Sequence, residues 1–580
     1  MPDRELDLRF HGKLNSEINQ LFNEISYEHR DKFNDLVTII SEPFKNSLDW
    51  WTQSPASRNT LASPFFHFYC CLVLILELIR SGRFNFNKVL VDSFALKSII
   101  KSMLSDHDFH QCKVLVRIGM HQRLNRALQG NLFLIIFILE KIFQFFIARI
   151  TKNKKSNLPL VQPIVLIDTF MSPGHVVNDR WYGKLWNFLT FEMKKDTYFV
   201  PTIVSTPFWK LYSLYKELRS SPRKFLIKED FLNLKDLTFA FQYRRRIRQL
   251  KIEPVNVLGY DLSLLIREEF MNNSDVKTIL ESLLTYRFIS NLSNQSIKVR
   301  LAIDWFEGQS IDKAWNLAFH KYYPSVLRIG YRAYWSLPFY LCSYPIPIEK
   351  EVGVLPGKIT VQGAGMIDEI REFLPDLEVL LIPSFRTEYV TKFDFNSNFL
   401  NPNDKFIILV SLPISIHASL RVLKSLLKIQ KEVCPDRIIV NYLIKCHPAC
   451  PINKEFRSTI KNLTPEFMIV NEKPFPELLQ ICNLLITEGS STCVEALAFG
   501  VPVIIMQDEC GLYINPVPKN ISKSLYKFAK TSLELIEAIN FYVNLSNEDI
   551  LIQKMQGNLI VDDYFQPITM EGIERLMNVN

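Results

Sequence analysis

The chain has 580 residues, 48% of them hydrophobic and 12% aromatic, with only 18 glycines. Single cores stop growing at about 250–300 residues, so at least two domains are expected and a disordered or fibrous chain is excluded. The 68 Lys+Arg against 60 Asp+Glu leave +8, too mild an excess at this length to indicate nucleic acid, although an anionic substrate or a membrane surface remains compatible. The ten cysteines lack CxxC spacing and several lie in apolar runs, which suits a reducing compartment. In MPDRELDLRFHGKL charges stand where a secretory signal needs an apolar stretch, so a cytoplasmic location is expected.

Residues 1–85 read as a mainly helical N-terminal extension, with FFHFYCCLVLILELI (65–79) as a core helix. Residues 86–395 read as a Rossmann-like domain. Its strands are KVLVDSF (88–94), PIVLIDTF (163–170), YFVPTIV (198–204), VRLAIDWF (299–306), SVLRIGY (325–331) and KITVQGA (358–364), with helix-like stretches between several of them. A helical insertion near 115–155 contains NLFLIIFILEKIFQFFIARI (131–150), where Glu140, Lys141 and Gln144 interrupt the roughly 20 apolar residues that a membrane span needs. With Arg123, Arg126 and 149–155 flanking it, this segment reads either as a buried domain helix or as a helix lying in the membrane interface. The basic run YRRRIRQLK (243–251) reads as a solvated helix face, with an anionic-lipid patch as the alternative.

After a linker at 383–403, residues 400–535 form a second alternation. FIILVSLP (406–413), the amphipathic HASLRVLKSLLKIQKEV (417–433), RIIVNYLI (437–444), MIV (468–470), NLLIT (483–487) and VPVIIM (501–506) predict a compact doubly wound unit. Residues 536–580 form a helical tail. The fold class expected is α/β, with two doubly wound domains facing a cleft.

The turn TEGSST (487–492) lies at a strand's carboxyl end with a helix beginning just after it. Open parallel sheets bind ligands there, and Ser490, Ser491 and Thr492 add hydroxyl donors to the free N–H groups of the helix start, which suits a phosphate. Simple helix capping by these residues is the alternative. Glu495, three residues into the helix, offers a carboxylate that can bind vicinal hydroxyls such as those of a ribose. A second loop, after RIIVNYLI, carries Lys445, His447 and Pro448. Its CHPAC run has no second ligand cluster, which argues against zinc, and no metal site is expected.

Together, KxHP followed about forty residues later by the SST turn and EALAFGVPVI resembles the donor domain of GT-B fold glycosyltransferases. The HP and SS pair is similar to that of bacterial sialyltransferases and capsular Kdo transferases. The resemblance implies that His447, Ser490 and Ser491 bind the phosphate of a nucleotide-sugar donor, with a CMP-linked acidic sugar favoured, and that Glu495 faces the ribose. It also implies a metal-independent enzyme, without a cofactor, that modifies a surface polysaccharide or lipid-linked glycan of the capsule or O-antigen kind. Such an enzyme works in the cytoplasm or on the inner face of the membrane. GKITVQGAGMIDEI (357–370), PSFRTEYV (383–390), DWFEGQSIDKAWNLAF (304–319), LRIGYRAYW (327–335) and LDWWTQSPASRNTLASP (48–64) look like parts of bacterial surface-carbohydrate biosynthesis proteins. CDP-polyol phosphotransferases and nucleotide-sugar 2-epimerases share the C-terminal topology and stand as alternatives. A non-catalytic nucleotide-sugar-binding scaffold is a third.

An inverting transfer needs a base for the acceptor hydroxyl. Sialyltransferases of this fold carry a D/E-D/E-G motif; here DWFEG offers Asp304 and Glu307, departing from it by two inserted residues, with Glu307 the preferred base. His175, in the loop of LIDTFMSPGHVVNDRWYG (166–183), is the alternative. Arg332 and Arg386 are candidates to meet anionic groups across the cleft, with surface ion pairs as the default reading of both.

Overall fold

The computed structural model describes residues 5–10, 12–118, 130–152, 162–272, 275–392, 405–429, 439–447, 450, 454–463, 466–507 and 511–578. Pro448 and most of the 383–403 linker lie outside the described residues.

Three short strands, β1 (Glu5–Asp7), β2 (Lys88–Val91) and β3 (Lys113–Val116), form a parallel sheet in the order β1-β2-β3. KVLVDSF therefore does not open the larger sheet; it is the middle strand of a separate one. β1 escapes sequence reading because it is three residues long, Glu-Leu-Asp, whereas β3 repeats the Lys-Val-Leu-Val of β2 at the start of the stretch expected to be a helical insertion. The helices Ser16–Glu28, Arg30–Ser41 and Phe65–Arg80 bury their apolar faces in a core shared with Leu341, Ile346 and Val354 of the next unit.

The second sheet comprises β4 (Ile164–Met171), β5 (Thr197–Ile203), β8 (Val299–Trp305), β9 (Leu327–Tyr331), β10 (Lys358–Val361) and β11 (Val379–Leu381), all parallel. A small antiparallel ribbon of β6 (Asn256–Val257) and β7 (Tyr260–Asp261) lies within the long β5–β8 connection. The order is β11-β10-β9-β8-β4-β5, so strand order reverses between β4 and β8. The third sheet comprises β12 (Lys405–Ser411), β13 (Ile439–Lys445), β14 (Phe467–Ile469), β15 (Leu484–Thr487), β16 (Val503–Met506) and β17 (Tyr526–Ala529). Its order, β14-β13-β12-β15-β16-β17, reverses between β12 and β15. The expected pair of doubly wound sheets is thus present, and each has a switch point beyond the carboxyl ends of two central strands, where such sheets bind ligands.

The C-terminal helices tie the two large units together. Helix Asn547–Tyr564 packs on the third sheet, and Met570–Met577 returns to the second, placing Ile573 and Leu576 against Val165 and Ile303. Asp562 and Asp563 are exposed.

The LDWWTQSPASRNT motif buries Trp50, Trp51 and Arg58 completely. Arg58 Nη1 donates to Leu341 O at 2.9 Å, and Arg58 Nη2 donates to Tyr344 O at 2.7 Å and to Glu349 Oε2 at 2.9 Å. Lys313, from the DWFEGQSIDKAW motif, pairs with the other oxygen of Glu349 and donates to Ala56 O at 2.8 Å. Three motifs far apart in sequence thereby meet in one buried charge cluster, and together its two cations hold the Glu349 carboxyl below its ordinary range.

Candidate functional site

At the third sheet's switch point, Thr487 Oγ1 donates to Ser411 O at 2.8 Å, tying the ends of β15 and β12 together. Glu488 follows, buried and paired with Arg421. Gly489 takes φ +65, and a Cβ there would collide with Ile514, so the turn needs glycine for its backbone and for its close approach. The hydroxyls beyond it bond to each other: Thr492 Oγ1 donates to Ser490 Oγ at 2.8 Å, while Ser491, at the start of helix Thr492–Ala498, makes no side-chain capping bond. Ser490 Oγ also lies 3.3 Å from Thr492 N, so capping is part of this turn's role.

β13 and β15 flank β12, so the His447 loop and the Ser490 turn leave the sheet two strand spacings apart, roughly 10 Å. Lys445 donates to Asn471 O at 3.0 Å and to Lys473 O, and Asn471 Oδ1 accepts from Cys446 N at 2.8 Å. Lys445 therefore holds the neighbouring loop with its ammonium. The His447 imidazole is held below its ordinary pKa by burial, then by the guanidiniums of Arg180 and Arg386.

Those two arginines come from the second sheet's unit, Arg180 from the loop after β4 and Arg386 from the segment after β11. The carboxylates nearest to them in sequence are occupied: Asp179 by Arg223, and Glu388 by Lys184 and Lys392. Among the described residues neither arginine forms an ion pair, and Arg180 is itself pushed down by burial and by Arg386. Glu495 is the acid nearby. Its Oε2 accepts from the hydroxyl of Tyr389, burial raises its pKa, and Arg386 pulls it back. Among the described residues the charge of Arg386 reaches the already hydrogen-bonded Glu495, while Asp179 is taken by Arg223, which leaves an excess of positive charge suited to an anion.

His175 lies in the loop after β4, at the second sheet's switch point. Its Nδ1 is 2.8 Å from Ser172 Oγ, its ring meets Trp181 edge-on at 5.6 Å, and burial followed by Arg180 keeps it below its ordinary pKa. His175 and His447 thus share the field of one guanidinium. Glu307, after β8, faces differently: Oε1 accepts from Trp305 Nε1 at 2.7 Å and Oε2 accepts from Gln309 Nε2. Gln309 reaches Tyr340 at 3.1 Å, a wall of a 240 Å³ cavity that also touches Glu488, Met506 and Ile514 at the third sheet's carboxyl edge.

Asp304 is not in the cleft. It is fully buried behind Asn316, whose Nδ2 donates to it at 2.9 Å, one residue beyond the Ile167–Ile303 pair and so beside Asp168. Burial first, then the charge of Asp168, raises it well above the carboxylate range. Arg332 is likewise buried, donating to Ser343 O at 2.8 Å and pairing with Glu369 at 3.7 Å, so the ion pair expected of it is an interior one. Asp168 is pushed up to about 6 by burial against an ordinary 3.8. Between these values the folded chain holds more protons than the unfolded one, so stability falls as pH rises through the window and the cost is complete above about pH 6. Asp168→Asn is therefore expected to raise Tm at pH 8 by the equivalent of at most about 3 kcal/mol, and to change it little at pH 4. Equal shifts at both pH values in thermal melts would contradict this.

Sequence reasoning passed over Arg180 and Tyr389. The signal for Arg180 was its place in a polar loop at a strand's carboxyl end; Tyr389 had none, since its role depends on the two units meeting.

No protein-family model matches the chain, and no curated protein matches it in sequence. Among solved structures it is similar to S. aureus MnaA in complex with UDP, at 12% identity and TM-score 0.40 over 72% of this chain and 95% of that one. Acinetobacter baumannii MurG matches at 9% identity and TM-score 0.39, over 72% of this chain and 99% of that one. A Neisseria meningitidis UDP-GlcNAc 2-epimerase bound to UDP-GlcNAc matches at 12% identity and TM-score 0.38, over 72% of this chain and 98% of that one.

Proposed function

We propose that the chain is a GT-B-type glycosyltransferase that moves a sugar from a nucleotide-activated donor to a glycan acceptor. The observation that carries this reading is that Arg180 and Arg386 form no ion pair among the described residues and that their charges reach His447, whose loop shares a carboxyl edge with the Ser490–Thr492 turn. A donor with two anionic centres suits it. A CMP-linked acidic sugar, with one phosphate and one carboxylate, meets that requirement and agrees with the resemblance of the HP and SS pair; a nucleoside diphosphate sugar meets it as well.

In this reading the guanidiniums neutralise the leaving nucleotide and His447 donates a hydrogen bond to it, which lowers the barrier to departure. His175, whose pKa burial and then the charge of Arg180 hold below its ordinary value, would take the acceptor's proton. It is preferred over Glu307 because both carboxylate oxygens of Glu307 already accept hydrogen bonds from its own loop and strand. Glu495, held by Tyr389, couples the ribose side of the site to the segment joining the two units.

Mass spectrometry of products from incubation with CMP-, UDP- and CDP-linked donors tests the assignment. A glycosylated acceptor with release of nucleotide supports it, while an isomerised free nucleotide sugar or a transferred polyol phosphate replaces it. His175→Ala is expected to lower kcat by about 10²–10⁴-fold, the usual worth of a general base. A comparable loss in Glu307→Gln with His175→Ala active would reverse the assignment of the base.

A further inference from the structure

Helix Gly130–Ile150 is built inside out for a surface helix. Its polar residues face the protein: Lys141 and Gln144 are buried, with Lys141 paired to Glu281 and 2.9 Å from Gln144 Oε1, and Glu140 turns to Lys277. Its outward stripe is apolar, with Leu132, Ile135, Leu139, Phe143, Phe146 and Ile150 at helical spacing and all exposed, Phe146 to 51% and Ile150 to 69%. Monomers rarely leave a contiguous apolar patch of this kind in water.

A second helix, Phe208–Ser220, extends the patch. Phe143 meets Phe208 edge-on at 6.5 Å, and Phe208 and Trp209 are exposed to 63% and 69%. Among the described residues the exposed charges on the two helices and at their ends are basic, including Lys152, Lys210 and Lys216, the last 4.8 Å from the Tyr212 ring. An apolar stripe with an exposed tryptophan and a lysine rim is the pattern of a helix lying in the headgroup region of an anionic bilayer. No helix among the described residues is long and apolar enough to cross a membrane.

We infer that these two helices form a membrane-docking face for a bilayer carrying anionic lipid, with the helix axes parallel to its plane. The face adjoins the candidate site, because Leu211 and Ala148 share a core cluster with Met171 and Val176, which bracket the His175 loop. A lipid-borne acceptor would reach that loop from the bilayer side. Phe145 takes no part: it is buried beneath Arg149, whose guanidinium lies 4.3 Å from its ring.

The test is flotation of the full chain with phosphatidylcholine vesicles and with phosphatidylcholine–phosphatidylglycerol vesicles. The wild type is expected to float with the anionic vesicles and to be released by salt. Leu139→Ser/Phe146→Ser/Trp209→Ser is expected to lower partitioning about tenfold or more, and Lys210→Glu/Lys216→Glu to abolish the preference for anionic lipid. Both variants change exposed side chains, and unchanged melting and nucleotide binding would verify that they fold. No flotation of the wild type, or flotation unaffected in both variants, overturns the inference. So does a concentration-dependent dimer that the serine variant dissociates without any vesicle binding, since a second copy would then cover the face.

Discussion

Replacing Arg180 and Arg386 together by alanine is expected to weaken binding of the donor nucleotide by about a hundredfold or more, since each charge-assisted hydrogen bond lost costs about 1.5–3 kcal/mol. The same change should leave the ligand-free protein as stable as before or slightly more so. Neither guanidinium forms an ion pair among the described residues, and each bears the other's charge. Opposite effects on binding and stability separate a ligand site from a structural cluster. Isothermal titration paired with thermal melting measures both, and a large fall in Tm with affinity preserved would show that the arginines hold the fold.

Glu349→Ala is expected to act the other way, costing about 3–5 kcal/mol of stability, because it strands Arg58 and Lys313 as buried charges without their acid. The carboxyl is the one group that both cations share, and hydrogen bonds from Arg58 to Leu341 O and Tyr344 O cannot replace its charge. Urea denaturation reads this as a lower midpoint. The folded fraction should keep its nucleotide affinity, since the cluster's bonds run between the N-terminal sheet's unit and the second sheet's unit. A loss below about 1 kcal/mol would mean that water or a rearranged neighbour compensates the pair.

The two large sheets were legible because parallel strands buried on both faces are written as short apolar runs, such as PIVLIDTF and VPVIIM, set between amphipathic helices. Strands outside that rule were missed: Val379–Leu381 is three residues long and Tyr526–Ala529 carries a lysine among aromatics. The C-terminal loops were legible as polar turns at strand ends, where glycine and serine also serve the backbone: Gly489 takes φ +65 and Ser490 caps Thr492. What they face was not. Asp304 looked like half of a catalytic motif, yet the strand's alternation turns it into the helix layer beside Asp168, while Glu307, three residues on, leaves the strand into a loop. Tyr389 meets Glu495, and the charge of Arg386 reaches it, only through tertiary packing over more than a hundred residues, which local pattern does not show. The helix at 130–150 shows the same limit from the other side: its charges read as interruptions of an apolar segment, when they are the face that meets the protein.

The most direct test of the donor site is calorimetric titration of the wild-type chain with CMP, CDP, UDP and GDP, repeated with His447→Ala and with Ser490→Ala/Ser491→Ala. The account predicts saturable binding of one nucleotide class, lost or sharply weakened in both variants. Binding that survives both, or no binding of any nucleotide to the wild type, would contradict it.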